Sequence, residues 1–187
     1  DRTDDAVRRD DQVLFYARAS TERRAVPLGL LALAELHRRR PDVEIALFGR
    51  DVPARTPFPH RHLGRLDRPA LADAYARAAA GMVLSMTNPS LVPFEMLACG
   101  LPCVDVERPS TRAELAPSGA VELTAFEPLA LADALERLLA DAELRERRRR
   151  AGVAWTRKRT WARAARQVEA GLRTALARAA SAPAQPR

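Results

Sequence analysis

The sequence predicts a doubly wound α/β fold, a mostly parallel sheet with helices on both faces, and three observations predict it. Short β-rich runs alternate with longer segments whose apolar residues recur at helical spacing. The 187 residues suit one ordinary domain, enough to bury a core without disulfides or metals. The composition is 47% hydrophobic but only 5% aromatic, so Ala, Leu and Val dominate, which favours helices packed on a small sheet over a β-sandwich.

In chain order, residues 13–16 read as a short buried strand. Residues 26–39 place Leu30, Leu33, Ala34 and His37 at helical spacing. A second strand, 43–48, is closed by Gly49, and Pro53, Pro57 and Pro59 make 51–61 a loop. Residues 61–63 form a short strand. Behind Pro69, a helix over 69–79 puts Leu71, Ala74, Tyr75 and Ala78 on one face. Residues 82–86 are the next strand. A helix over 90–99 follows, with Ser90 as N-cap, Pro93 tolerated in its first turn and Gly100 ending it.

Strands are predicted at 102–106 and 120–123. Thr124 and Glu127 then form a capping box before a helix whose apolar face is Leu131, Leu135, Leu138 and Leu139. Another helix covers 141–155. Thr160 caps the last, with Trp161, Ala165, Val168, Leu172 and Leu176 on its buried side. Strands joined by helical crossovers imply a Rossmann-like parallel sheet. Such sheets bind ligands beyond the carboxyl ends of their strands, here the loops after Tyr16, Phe48, Leu63, Met86 and Asp105. Residues 1–11 read as a linker or chain terminus, 12–178 as the domain and 179–187 as a flexible tail.

Cys99 and Cys103 have no histidine pair at metal spacing and read as reduced thiols, which points to the cytoplasm. The longest apolar stretch, 26–34, stops at Glu35, short of the roughly 20 residues of a membrane span. The charged opening from Asp1 carries no signal-peptide pattern, and its lack of Met is expected of a piece of something longer. A net charge of +7 suits an anionic partner: nucleic acid, acidic lipid or a phosphorylated small molecule.

The most informative stretch is Thr87-Asn88-Pro89-Ser90-Leu91-Val92-Pro93-Phe94-Glu95-Met96-Leu97-Ala98-Cys99-Gly100-Leu101-Pro102. Before it stand Phe15-Tyr16-Ala17-Arg18 with Arg23 five residues on, and His62-Leu63-Gly64-Arg65-Leu66. The three motifs, in this order, resemble the C-terminal domain of GT-B glycosyltransferases of group 1, the GT4 type, from residue 12 to about 178. The resemblance implies one half of a GT-B fold that holds a nucleotide-diphosphate sugar as substrate, with no metal and no cofactor. It assigns Glu95 to the ribose, and Gly64, Leu66 and Arg68 to the border of the base.

Elementary electrostatics agrees. A helix opening at Ser90 offers the N–H groups of Leu91 and Val92 and the positive end of its dipole to a diphosphate. Pro93 donates nothing, so Arg18 and Arg23, at a strand end, are the candidate guanidiniums.

Two departures from the family pattern matter. Its first acidic residue, eight before the ribose Glu, is Thr87 here, and the Gly-rich approach is replaced by Asn88-Pro89-Ser90. Thr87 and Asn88 therefore border the sugar without a carboxylate, which favours a deoxysugar. The Asn-Pro-Ser-Leu-Val-Pro-Phe-Glu run is most similar to bacterial surface-polysaccharide rhamnosyltransferases, implying dTDP-rhamnose, with UDP- and GDP-sugars as alternatives. The resemblance also implies retention of configuration. The acceptor site and most catalytic groups would come from an N-terminal domain, so the chain alone is expected to transfer little.

Other features read more plainly. Arg147–Arg150, Arg157, Lys158 and Arg159, with Trp155 and Trp161 nearby, read as a solvated helix face rather than a nucleic-acid site, the tryptophans being core-facing. Peripheral contact with an acidic membrane, at its inner face, is a middle option. His37, His60 and His62 lack metal spacing, and Cys99 reads as core filler. The rival functions are half of a GT-B sugar-nucleotide epimerase and a basic nucleic-acid-binding module.

Overall fold

The computed structural model describes residues 10–180; residues 1–9 and 181–187, most of the expected linker and tail, lie outside the described residues. Six strands, β1 (Gln12–Tyr16), β2 (Glu44–Phe48), β3 (Arg61–Gly64), β4 (Ala80–Met82), β5 (Cys103–Val106) and β6 (Val121–Thr124), form one sheet. Its order is β3-β2-β1-β4-β5-β6, with every pair parallel. The chain winds outward from β1 to β3, crosses back to β4 beside β1, and winds outward again. The order therefore reverses between β1 and β4, which opens a crevice at their carboxyl ends.

Helices cover both faces, as the alternation of buried side chains requires. On one face α1 (Val26–Arg39) and α5 (Pro128–Ala140) pack over Val13, Phe15, Ile45, Leu47 and Met82. On the other, α2 (Arg68–Arg77), α3 (Leu91–Ala98) and α6 (Ala142–Arg157) meet Leu14, Ala46, Val83 and Cys103. Helix α1 lies so close to the sheet that a Cβ on Gly29 would sit 2.3 Å from Cζ of Phe15, so any larger residue there must displace a buried ring. Before α2, Asp67 accepts the Ala70 N–H at 2.9 Å and caps the helix.

Four expectations are corrected. β4 runs over Ala80–Met82 rather than 82–86, because beyond Val83, whose N–H still reaches Val104 O, the Ser85 N–H turns to the Asp105 side chain. A helix, α4 (Pro109–Leu115), and a 3-10 turn, Ala116–Ser118, lie between β5 and β6 where no element was expected. Thr124 does not cap α5. It stays in β6, paired with Val106, and α5 begins at Pro128 after Glu127, with no side-chain cap.

The fourth concerns α7 (Trp161–Ala180), the last helix. Thr160 does accept the Arg163 N–H at its start. The face expected to be buried is instead open: Trp161 is 77% exposed, Val168, Leu172 and Leu176 are 61–70% exposed, and Ala165 is exposed as well. Both faces of the sheet are already covered by the other helices, so α7 finds no sheet surface left to pack on. Among the described residues no helix is long and apolar enough to cross a membrane.

Candidate functional site

The carboxyl edge at β1 and β4 gathers most of the candidate residues. Arg18 leaves β1 half-buried, and its Nε is buried without a hydrogen-bond partner. The chain then folds back through a 3-10 turn, Glu22–Arg24, closed by Ala25 in the left-handed region. Arg23 is exposed, and its carbonyl accepts the Met86 N–H at 3.2 Å. That bond ties the arginine turn to the loop running into α3. Ser90 caps α3 as expected, but its hydroxyl accepts the Val92 N–H at 3.3 Å. Of the two amides expected to meet a diphosphate, Val92 is thus already engaged, whereas Leu91, in the first turn, has no intrahelical acceptor.

Thr87 and Asn88 are exposed, and the Thr87 hydroxyl donates to Asn88 Oδ1 at 3.0 Å. The Ser110 hydroxyl of α4 donates to Thr87 O, holding this loop from the β5 side. Gly64 ends β3 at φ 60°, with nothing within 4 Å of where a side chain would begin, and its carbonyl accepts the Gly49 N–H. Leu66 is half-buried and Arg68, exposed, opens α2. Gly64 and the end of β4 lie three strands apart, about 14 Å at ~4.8 Å per strand. Glu95 is exposed one turn into α3, on a flank where Leu91, Phe94 and Ala98 line a cavity of about 620 Å³. Lys158, Arg159 and Trp161 close its other side, so this cavity runs along α3 rather than over the sheet edge. Trp155 stacks on Phe94, under the Arg159 guanidinium.

Three buried residues at this edge escape sequence reasoning. Arg24 is 5% exposed, with a guanidinium nitrogen 3.5 Å from Ser85 Oγ. Asp105 is fully buried; its Oδ1 accepts the N–H groups of Ser85 and Val106 at 2.7 and 2.8 Å, while Oδ2 has no partner. The only signal for Asp105 is a carboxylate in the middle of an apolar strand, and Arg24 is indistinguishable in sequence from Arg23.

Burial pushes the Asp105 carboxyl from its ordinary 3.8 up to about 7, although hydrogen bonds from Ser85 and Val106 and the Arg24 charge pull the other way. Burial likewise lowers Arg24. On the surface, hydrogen bonds from Arg38 and Arg39 hold Glu35 at about 2, and those from Arg149 and Arg150 do the same for Glu146. The two classes act in opposite pH windows. Asp105 binds its proton more tightly folded than unfolded, so its contribution is full below about 4 and is lost as pH rises through 7. The glutamates contribute above about 4.5 and lose it as pH falls towards 2, screened by solvent.

Thermal unfolding followed by circular dichroism is therefore expected to peak near pH 5 and decline towards pH 8. Asp105→Asn flattens that decline. A variant that loses as much melting temperature as the parent over the same range contradicts this assignment.

Over residues 11–136 the chain matches the family described as WsaF, C-terminal domain. The chain belongs to that family. This WsaF-type domain is also 34% identical over 107 residues to the O-antigen biosynthesis protein RfbC of Myxococcus xanthus, a stretch covering 54% of this chain and 8% of that protein. Among solved structures it resembles sucrose-phosphate synthase from Thermosynechococcus elongatus, with a TM-score of 0.73 and 22% identity over 90% of this chain and 46% of that one. Anabaena Alr3699/HepE, solved in complex with UDP and glucose, gives a TM-score of 0.69 at 17% identity over 88% of this chain and 48% of that one. Trehalose 6-phosphate synthase from Burkholderia multivorans gives 0.74 at 18% identity over 95% and 45%. The WsaF-type domain thus shares its fold with these proteins and spans less than half the length of each.

Proposed function

We propose that this domain is the donor-binding half of a retaining glycosyltransferase, which transfers a sugar from a nucleoside diphosphate sugar to a glycan or lipid-linked acceptor. One observation carries the reading: the turn bearing Arg18 and Arg23 is hydrogen-bonded, through Arg23 O and Met86 N–H, to the loop that leads into the Ser90 cap, at the point where strand order reverses. Guanidiniums and a helix's positive end on one edge make an anion site, and a diphosphate brings the complementary charge. In this reading Arg18, Arg23, Ser90 and the Leu91 amide hold the diphosphate, the Val92 amide staying with the Ser90 cap, and Glu95 accepts from ribose hydroxyls. Gly64, Leu66 and Arg68 border the base; Thr87 and Asn88 border the sugar. The uncharged Thr87 favours a deoxysugar such as the rhamnose of dTDP-rhamnose.

The acceptor site and the remaining catalytic groups belong to an N-terminal domain, so this half binds donor and transfers little by itself. The name of the Myxococcus xanthus relative, an O-antigen biosynthesis protein, supports a place in surface-polysaccharide assembly. The site of action is the cytoplasm, at the inner membrane face where lipid-linked acceptors are presented. The test is calorimetric titration of the chain with dTDP, UDP, GDP and a short DNA duplex. Micromolar-range binding of at least one diphosphate, weakened in Glu95→Ala, is the expected result. Salt-sensitive DNA binding with no nucleotide binding overturns the reading in favour of a nucleic-acid module. Retention of the intact enzyme by liposomes containing acidic lipid tests the membrane placement, and failure to be retained removes it.

A further inference from the structure

We propose that Asp105 is a positioning residue for the donor site: through the Ser85 amide and Arg24 it sets where the loop into α3 lies and how positive that edge is. The inference rests on the donor-binding reading above and adds to it a residue outside the ligand's reach.

The backbone of the loop shows why. After β4 the Val83 N–H is the last to reach the neighbouring strand, at Val104 O. The Ser85 N–H then goes to Asp105 Oδ1 and the Met86 N–H to Arg23 O. One carboxylate and one carbonyl thus hold the chain immediately before the exposed run Thr87–Asn88 and the cap at Ser90. Asparagine at 105 would accept from the same two amides without a charge, so what the carboxylate adds is electrostatic. A fully buried carboxyl with Oδ2 unpartnered is costly to keep for packing alone.

The charges around it are consistent with an electrostatic task. Arg24, whose guanidinium reaches Ser85 Oγ at 3.5 Å, feels the charge of Asp105, and also that of Arg18, Arg23 and the Tyr16 hydroxyl of β1. From its own strand Asp105 meets the Cys103 thiol, which also feels Arg148 of α6. Helix α3, which packs on β5, buries Pro93, Met96 and Leu97, and α4 buries Thr111 and Leu115, none of them charged. A negative Asp105 therefore cancels part of the field of the arginine cluster, and a neutral one leaves it to the ligand. A bound diphosphate and a protonated Asp105 favour each other, so affinity falls as Asp105 ionises.

The test is calorimetric titration of the wild-type chain, Asp105→Asn and Asp105→Ala with dTDP-rhamnose and UDP-glucose between pH 5.5 and 8.5. In a nucleoside diphosphate sugar the diphosphate keeps a constant charge over this range, so its own titration adds no slope. Wild-type affinity is expected to fall about three- to tenfold from pH 6 to 8. Asp105→Asn is expected to match wild type at pH 6 and to show no such fall. Asp105→Ala, lacking the acceptor for the Ser85 N–H, is expected to bind at least ~tenfold more weakly at every pH. Should it fail to fold by circular dichroism, the asparagine profile decides alone. An unchanged slope in Asp105→Asn overturns the role of Asp105 and leaves the donor site standing. Absence of sugar-nucleotide binding by the wild type at any pH overturns both.

Discussion

Alanine in place of Arg18 is expected to weaken nucleoside diphosphate binding by about 10- to 150-fold, the equivalent of one charge-assisted contact of roughly 1.5–3 kcal/mol. Arg18 is half-buried at the end of β1, and its Nε is already out of water with no protein partner. Much of the desolvation cost of an anion contact has thus been met before any ligand arrives. Arg23 is exposed on the following turn, where solvent weakens the same contact, so Arg23→Ala is expected to cost only about two- to tenfold. Arg18→Lys keeps the charge but loses the planar fork that fits two phosphate oxygens, and is expected to fall between wild type and alanine. Calorimetry on the three variants gives the order directly. A larger loss at Arg23 than at Arg18 places the ligand on the outer side of the turn and removes Arg18 from the site.

The largest effect on stability is expected at Phe15. Its ring is fully buried between the sheet and α1, in contact range of the Gly29 backbone, where no side chain can follow if the ring is removed. Phe15→Ala is expected to cost about 3–5 kcal/mol in denaturant unfolding, because the helix cannot close the cavity without breaking its own packing against α5. Trp161, larger but 77% exposed on α7, is expected to change stability by less than ~0.5 kcal/mol when replaced by alanine. A loss below about 1 kcal/mol at Phe15, close to that of a surface change, contradicts the packing of α1 on β1.

The contrast between those two aromatics shows what the sequence discloses. The continuous apolar run Val13-Leu14-Phe15 and helical spacing in α1 and α5 report burial on both faces of the sheet, and these elements lie where pattern places them. The stripe Trp161-Val168-Leu172-Leu176 carries the same pattern without the burial, since periodicity states that a face is apolar and not what covers it. α4 was illegible because seven residues, Pro-Ser-Thr-Arg-Ala-Glu-Leu, are too few for periodicity to emerge. Thr124 looked like a cap because its spacing to Glu127 is right, but pairing with Val106 keeps it in the strand.

At the site, the Ser90 cap and the arginines at the end of β1 were legible because local chemistry defines them. Ser85 and Asp105 were not: their bond joins residues twenty apart, and only the sheet order that sets β4 beside β5 brings them together.

The brevity of β4, three residues at the centre of the sheet, has an evolutionary consequence. Strand register cannot slip by one residue without turning the core inside out, so the sheet is closed to gradual change. Past Val83 the chain answers instead to a single acidic side chain and a neighbouring turn. With the proposed donor site at this edge, descendants of this fold would shift their preference among ligands by single replacements at position 105 or along 18–24, with all six strands left as they were.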